Sequence, residues 1–183
     1  YIISTALLGT YNEDCSKITE QIEEYFQINI NKFSKNTKEN QLREQELLSD
    51  SENILHLADY YANLPTVWNN GVLLNAEHKN FELFTVYYSN SYFGLKQSME
   101  IDSLRYAIEK FKNTNLFFPL MTSLFFAMKE CVFSKDGHMA QPLSFIGNKS
   151  KLYNVRNKSV FDIFKEKFRS FFSDGFVNCS NGN

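Results

Sequence analysis

The residues that could carry chemistry lie in two polar stretches of an otherwise aromatic chain. The first is Tyr87-Tyr88-Ser89-Asn90-Ser91-Tyr92-Phe93-Gly94-Leu95-Lys96-Gln97. Aromatic rings can stack on an unpaired base, and a carboxamide can meet an adenine edge with a donor and an acceptor side by side. The same tyrosines would serve equally to pack on a core with their hydroxyls in water. The second stretch is Asp136-Gly137-His138-Met139-Ala140-Gln141-Pro142, continued by Lys149, Lys151, Arg156 and Lys158. His138 offers a proton carrier near neutral pH or a phosphate contact. Gln141 could contact a base or cap a helix. The four cations suit phosphate oxygens, or a solvated basic loop.

Other chemistries lack their residues. There is no G-x-G-x-x-G and no G-x-x-x-x-G-K-[ST] phosphate cradle. Gly147-Asn148-Lys149-Ser150 repeats only the end of such a loop. No G-x-S-x-G elbow is present. The 3 His are not paired at helical spacing, so no metal site is expected. Cys15, Cys131 and Cys179 are far apart and odd in number, which fits free thiols in a reducing cytoplasm. No catalytic residue is assigned.

The elements that must position these groups read as helices. With 18 Phe and 10 Tyr against 7 Gly and 3 Pro in 183 residues, the composition favours long helices around an aromatic core. The expectation is a mainly α fold, one irregular helical domain over residues 1–183 with at most one or two short strands. A short helix is expected to end at Gly9, and Ile18, Ile22, Tyr25 and Phe26 predict an amphipathic helix over 14–28. Asn31 to Gln41 reads as a loop. Helical character resumes at Glu39 and runs to about Leu64, with a break available at Ser49-Asp50-Ser51. Pro65 to Gly71 reads as a turn, and Phe81 to Tyr88 as the strand candidate. Ile101, Leu104, Ile108 and Phe111 form a helical stripe, with Arg105 and Glu109 placed to pair off it. Leu116 to Phe133 predicts a buried helix with Pro119 in its first turn, and not a membrane span. Ser159 is placed to cap a last helix whose inner face is Val160, Phe164, Phe168 and Phe171, ending at Gly175.

Charge is uneven although the net is -2. Residues 13–59 are acidic and residues 145–169 basic, so one face could meet phosphate while the rest stays soluble. The opening Tyr1 to Leu8 is apolar but has no basic flank, so no signal peptide is read there. No membrane partner is expected.

The order YYSNSYFGLKQSMEIDSLRYAIE, an apolar helix, DGHMAQPL and RNKSVFDIFKEKF resembles the middle of adenine-specific DNA methyltransferases of bacterial restriction–modification systems. The matching positions are Tyr92, Phe93, Ile101, Asp102, Arg105, Gly137, His138 and Arg156. The opening YIISTALLG also resembles the helix after that family's first cofactor-binding strand. The family's glycine-rich cofactor loop and its Asp-Pro-Pro-Tyr motif are not in the sequence. Phe145-Ile-Gly-Asn-Lys149 resembles the Phe-x-Gly-x-Lys cofactor motif but stands out of order, and is set aside. The resemblance implies a target-recognition fragment lying between the cofactor-binding and catalytic motifs and inactive alone. S-adenosylmethionine would belong to the full-length enzyme and would not bind this fragment. The implied partners are double-stranded DNA and the remaining parts of the methyltransferase. The implied DNA contacts are Tyr88, Tyr92, Gln97, Arg105, His138, Gln141, Lys149, Arg156 and Lys158. Asp102 is expected to position Arg105 or to cap locally. The expectation requires these groups to emerge on one side of the helical body. Two alternatives stand beside it: a helical protein–protein interaction module, and part of a restriction endonuclease using Glu100, Asp102 and Lys96.

Overall fold

The structure is a computed structural model that describes residues 14–63, 81–89, 91–137 and 141–171. In chain order its α-helices are α1 (Cys15–Leu48), α2 (Ile54–Asn63), α3 (Leu83–Tyr87), α4 (Leu95–Glu109), α5 (Phe117–Cys131), α6 (Lys149–Arg156) and α7 (Val160–Ser170). Single helical turns sit at Ser51–Asn53, Lys135–Gly137 and Ile146–Asn148. The described residues contain no strand, and their one extended pairing is an isolated antiparallel bridge between Ser134 and Pro142. The fold is mainly α.

Two expectations need correction. Residues 31–41 are not a loop: α1 runs unbroken through them. Its inner stripe is Ile18, Ile22, Phe26, Asn29, Phe33, Thr37, Glu44 and Leu47, all buried. The 3.6-residue period persists, but Asn29, Thr37 and Glu44 occupy inward positions, so hydrophobicity alone loses the helix there. The Thr37 hydroxyl donates 2.7 Å to the Phe33 carbonyl, which satisfies a buried polar group within the helix. The helix does stop near the predicted break, at Leu48, where the Ser49 hydroxyl donates 2.7 Å to the Glu46 carbonyl. Likewise the strand candidate is helical as α3. Its aromatic and β-branched residues fit a strand locally, but Asp102 receives its first amides and holds a helical turn.

α4 is the central element, in contact with α1, α3, α5 and α7. The predicted stripe of Ile101, Leu104, Ile108 and Phe111 is buried, and so are Gln97, Ser98, Glu100, Asp102 and Ser103 on its other sides. One apolar cluster joins α1, α4, α5 and α7 through Ile22, Phe26, Leu104, Leu120, Leu124, Phe164 and Phe168. Within it Phe26 stacks on Phe161 with centroids 4.1 Å apart. A second cluster gathers Phe33, Leu47, Leu57, Leu95, Met99, Phe133, Leu152 and Val155. Pro119 falls in the first turn of α5, and Ser159 Oγ accepts from the Asp162 amide at 3.1 Å as a cap of α7. The expected helix ending at Gly9, the turn at Pro65 to Gly71, His138 and the segment after Phe171 lie outside the described residues.

Candidate nucleic-acid interface

Three buried carboxylates of α1 and α4 each close the start of a different helix. Free amides at a helix N-terminus need acceptors, and the helix dipole favours a negative charge there. Glu44 on α1 accepts from the Leu95 and Lys96 amides at 2.8 and 2.9 Å, at the start of α4. Asp102 accepts from the Phe84 and Thr85 amides at 3.1 and 2.8 Å, at the start of α3. Glu100 accepts from the Val160 amide at 2.7 Å and the Phe161 amide at 3.3 Å, at the start of α7. Burial nevertheless pushes the Asp102 carboxyl up to about 6, the hydrogen bonds only partly offsetting lost hydration. Burial raises Glu100 too, against the opposing pull of Lys96 and its hydrogen bonds. Asp102 therefore caps α3, not its own helix, and Glu100 and Asp102 serve different neighbours instead of converging as a carboxylate pair.

Beside these caps, several of the predicted contact residues meet in one polar knot. The Arg156 guanidinium donates from Nη1 to the Tyr92 carbonyl at 2.9 Å and to Gln97 Oε1 at 3.3 Å, and from Nη2 to the Ser91 carbonyl at 3.0 Å. Gln97 Nε2 donates to the Val155 and Lys158 carbonyls at 2.6 and 3.0 Å, and its Oε1 accepts from the Gly94 amide at 3.0 Å. One amide and one guanidinium thus stitch the turn before α4 to the α6–α7 junction. The Phe133 amide adds a 2.7 Å bond to the Tyr92 carbonyl.

The knot corrects part of the one-sided surface expected from sequence. Gln97 is 1% exposed and Arg156 4%, so the polar ends of both are engaged inside the protein. Both have fork-like polar ends that suit internal carbonyls as well as nucleotide edges, and sequence cannot choose between those partners. Tyr88 and Tyr92 are half-buried, their rings tilted with centroids 5.9 Å apart, and Tyr88 rests 5.2 Å from Phe84. Lys158 is exposed, its Nζ 3.1 Å from the Glu130 carbonyl. Gln141 is exposed and Lys149 half-buried at the start of α6. Arg105 stands apart from the knot, its guanidinium against Met121 Sδ at 3.0 Å and Glu109 at 3.4 Å. The Asp136–Gly137 turn passes through left-handed backbone with φ of 58° and 73°, which glycine adopts without strain and aspartate tolerates.

A polar cleft of about 250 Å³ opens next to the knot, where the end of α1, the first turn of α4 and the α6–α7 junction meet. Lys96, Arg156 and Lys158 line it. Only the fold sets Lys96 in one cleft with Lys158. Chemistry of other kinds has little to work with among the described residues. Burial pushes the Cys131 thiol up to about 12, so it stays protonated. No group of three His, Cys, Asp or Glu side chains among the described residues is placed to hold a metal ion. No described helix is long and apolar enough to cross a membrane.

Fold and site together define a mainly α-helical protein in which Gln97 and Arg156 join the turn before α4 to the α6–α7 junction. Comparison with known protein families, with curated proteins and with solved structures found no match to the chain.

Proposed function

We propose that this chain contacts DNA, as the target-recognition portion of an adenine-specific DNA methyltransferase whose remaining parts bind S-adenosylmethionine and carry out transfer. The family assignment rests on the sequence resemblance. The observation that favours a nucleic-acid partner is the position of Arg156. It lines the cationic cleft and bonds the Ser91 and Tyr92 carbonyls, so the ring-bearing turn lies within one side chain of Lys96 and Lys158. Stacking surfaces next to cations are what a strand with exposed bases requires. In this reading Tyr88, Tyr92, Lys149 and Lys158 face DNA, while Gln97 and Arg156 hold the surface in shape.

The test is anisotropy of a labelled duplex against protein at several salt concentrations. The expected result is salt-dependent binding with a dissociation constant on the order of 10⁻⁴ to 10⁻⁶ M for nonspecific sequence at physiological salt. No affinity at low salt, with salt-insensitive capture of a protein instead, would transfer the chain to the interaction-module class. Robust methyl transfer to DNA by this polypeptide alone would refute its being a fragment of the enzyme.

A further inference from the structure

We propose that the cleft between α1, α4 and the α6–α7 junction is an anion site for a single phosphate group. Its polar lining comprises Gln45, Ser49, Lys96, Arg156, Asn157 and Lys158, with no carboxylate among the described lining residues. Two exposed lysines, a buried guanidinium in the wall and the carboxamides of Gln45 and Asn157 around one small opening select a compact oxyanion. The volume, about 250 Å³, lies below the roughly 300–1,000 Å³ of pockets that enclose larger organic ligands.

The cations differ in how they are held, and the difference suits capture. Bonds to the Ser91 and Tyr92 carbonyls and to Gln97 fix the Arg156 guanidinium, so it is a preorganised charge in the wall. Lys96 is 54% exposed at its side chain and sits 3.8 Å from Glu100, the long end of an ion pair, so it can swing toward an incoming anion. Lys158 donates to a neutral carbonyl of Glu130. Exchanging that acceptor for a phosphate oxygen gives a stronger bond, charged on both sides. The first amides of α4 do not contribute, because Glu44 already occupies them. The site is therefore built from side chains and not from a helix terminus.

The inference rests on the DNA reading only for the source of the phosphate; a free phosphomonoester carries the same chemistry. The experiment uses the whole chain, with inorganic phosphate followed by backbone amide NMR shifts and duplex DNA followed by anisotropy across salt. Two variants are compared with the native protein: Lys96→Gln with Lys158→Gln, and Gln45→Glu. The second puts a carboxylate at the mouth of the cleft from an exposed position of α1, where glutamine and glutamate have similar helix propensity.

Phosphate should shift Ser49, Lys96, Asn157 and Lys158 saturably, and each variant should weaken it about tenfold, as for lost charge-assisted hydrogen bonds. The salt slope of DNA binding should fall by about 0.9 for each lysine removed. Phosphate shifts lost in Gln45→Glu, but with no DNA affinity, would keep the site and discard the DNA reading. DNA binding of unchanged slope in the double variant, with phosphate shifts absent from the cleft, would discard the site and leave the DNA reading intact. If the double variant fails to fold, the phosphate response of Gln45→Glu decides alone.

Discussion

The two halves of this helical body are held by different means. Around Leu104, Leu120, Phe164 and Phe168 the core is apolar side chain against apolar side chain, with Glu100 closing the start of α7 at its edge. Around Leu95, Phe133 and Val155 the core is smaller and a polar network runs beside it: Glu44 at one helix start, and Gln97 and Arg156 across the next junction. Nonpolar packing is non-directional and tolerates small shifts. Buried hydrogen bonds to charged groups fix geometry, and are costly when one partner is removed. The directional half also carries the cationic cleft, and its network reaches the backbone of the tyrosine turn, whose rings pack against the first cluster. A surface that must present rings and charges at set positions gains from a rigid polar frame beneath it.

The largest effect should come from the apolar half. Phe164→Ala empties a site that is 1% exposed and should cost about 3–5 kcal/mol in chemical denaturation. A smaller loss would mean that the neighbouring helices collapse into the space.

Next comes the polar half. Arg156→Met keeps much of the side-chain volume but leaves the Ser91 and Tyr92 carbonyls and Gln97 Oε1 without their guanidinium donors. The expected cost is about 2–3 kcal/mol, together with faster hydrogen exchange around residues 91–97. Unchanged exchange there would show that the knot is not what orders the turn, and would undo the contrast between the halves.

A third measurement sharpens the contrast by pH. Asp102 has a folded value near 6 against an ordinary 3.8, so between those values the folded protein binds the proton and the unfolded chain does not. Stability from this group is then greatest below the unfolded value, falls as pH rises through the window, and is flat above about 6. Relative to Asp102→Asn, the native protein should lose on the order of 1–3 kcal/mol between pH 4 and pH 7, measured by urea denaturation at each pH. A difference independent of pH would show that the capping amides of α3 fully offset the burial of the charge.

The smallest effect is expected at the surface. Arg43 pairs with Glu46 at 3.1 Å, both well exposed, and Arg43→Ala should change stability by less than about 0.5 kcal/mol. A loss comparable to that of Arg156→Met would mean that exposure does not separate these two arginines as proposed.

Sequence by itself determined the helical class and the stretches with a clean apolar period. The stripe of α4, the buried α5 with Pro119 in its first turn, and α7 behind its Ser159 cap follow from spacing and local hydrogen-bonding chemistry. Only the tertiary structure decided which polar residues face inward. Thr37 falls in a stretch that reads as a loop, and neither it nor Asn29 nor Glu44 is marked as inward-facing until α4 supplies partners such as the Leu95 and Lys96 amides. Phe81 to Tyr88 looks like a strand until Asp102 arrives from 17 and 18 residues away to cap it as a helix. Gln97 and Arg156 look like nucleic-acid contacts until the fold brings Tyr92 and Val155 within reach. A local pattern encodes what a residue can bond. Which partner it meets depends on segments distant in the chain, and burial makes that choice binding because an unsatisfied polar group in a core is too costly to persist.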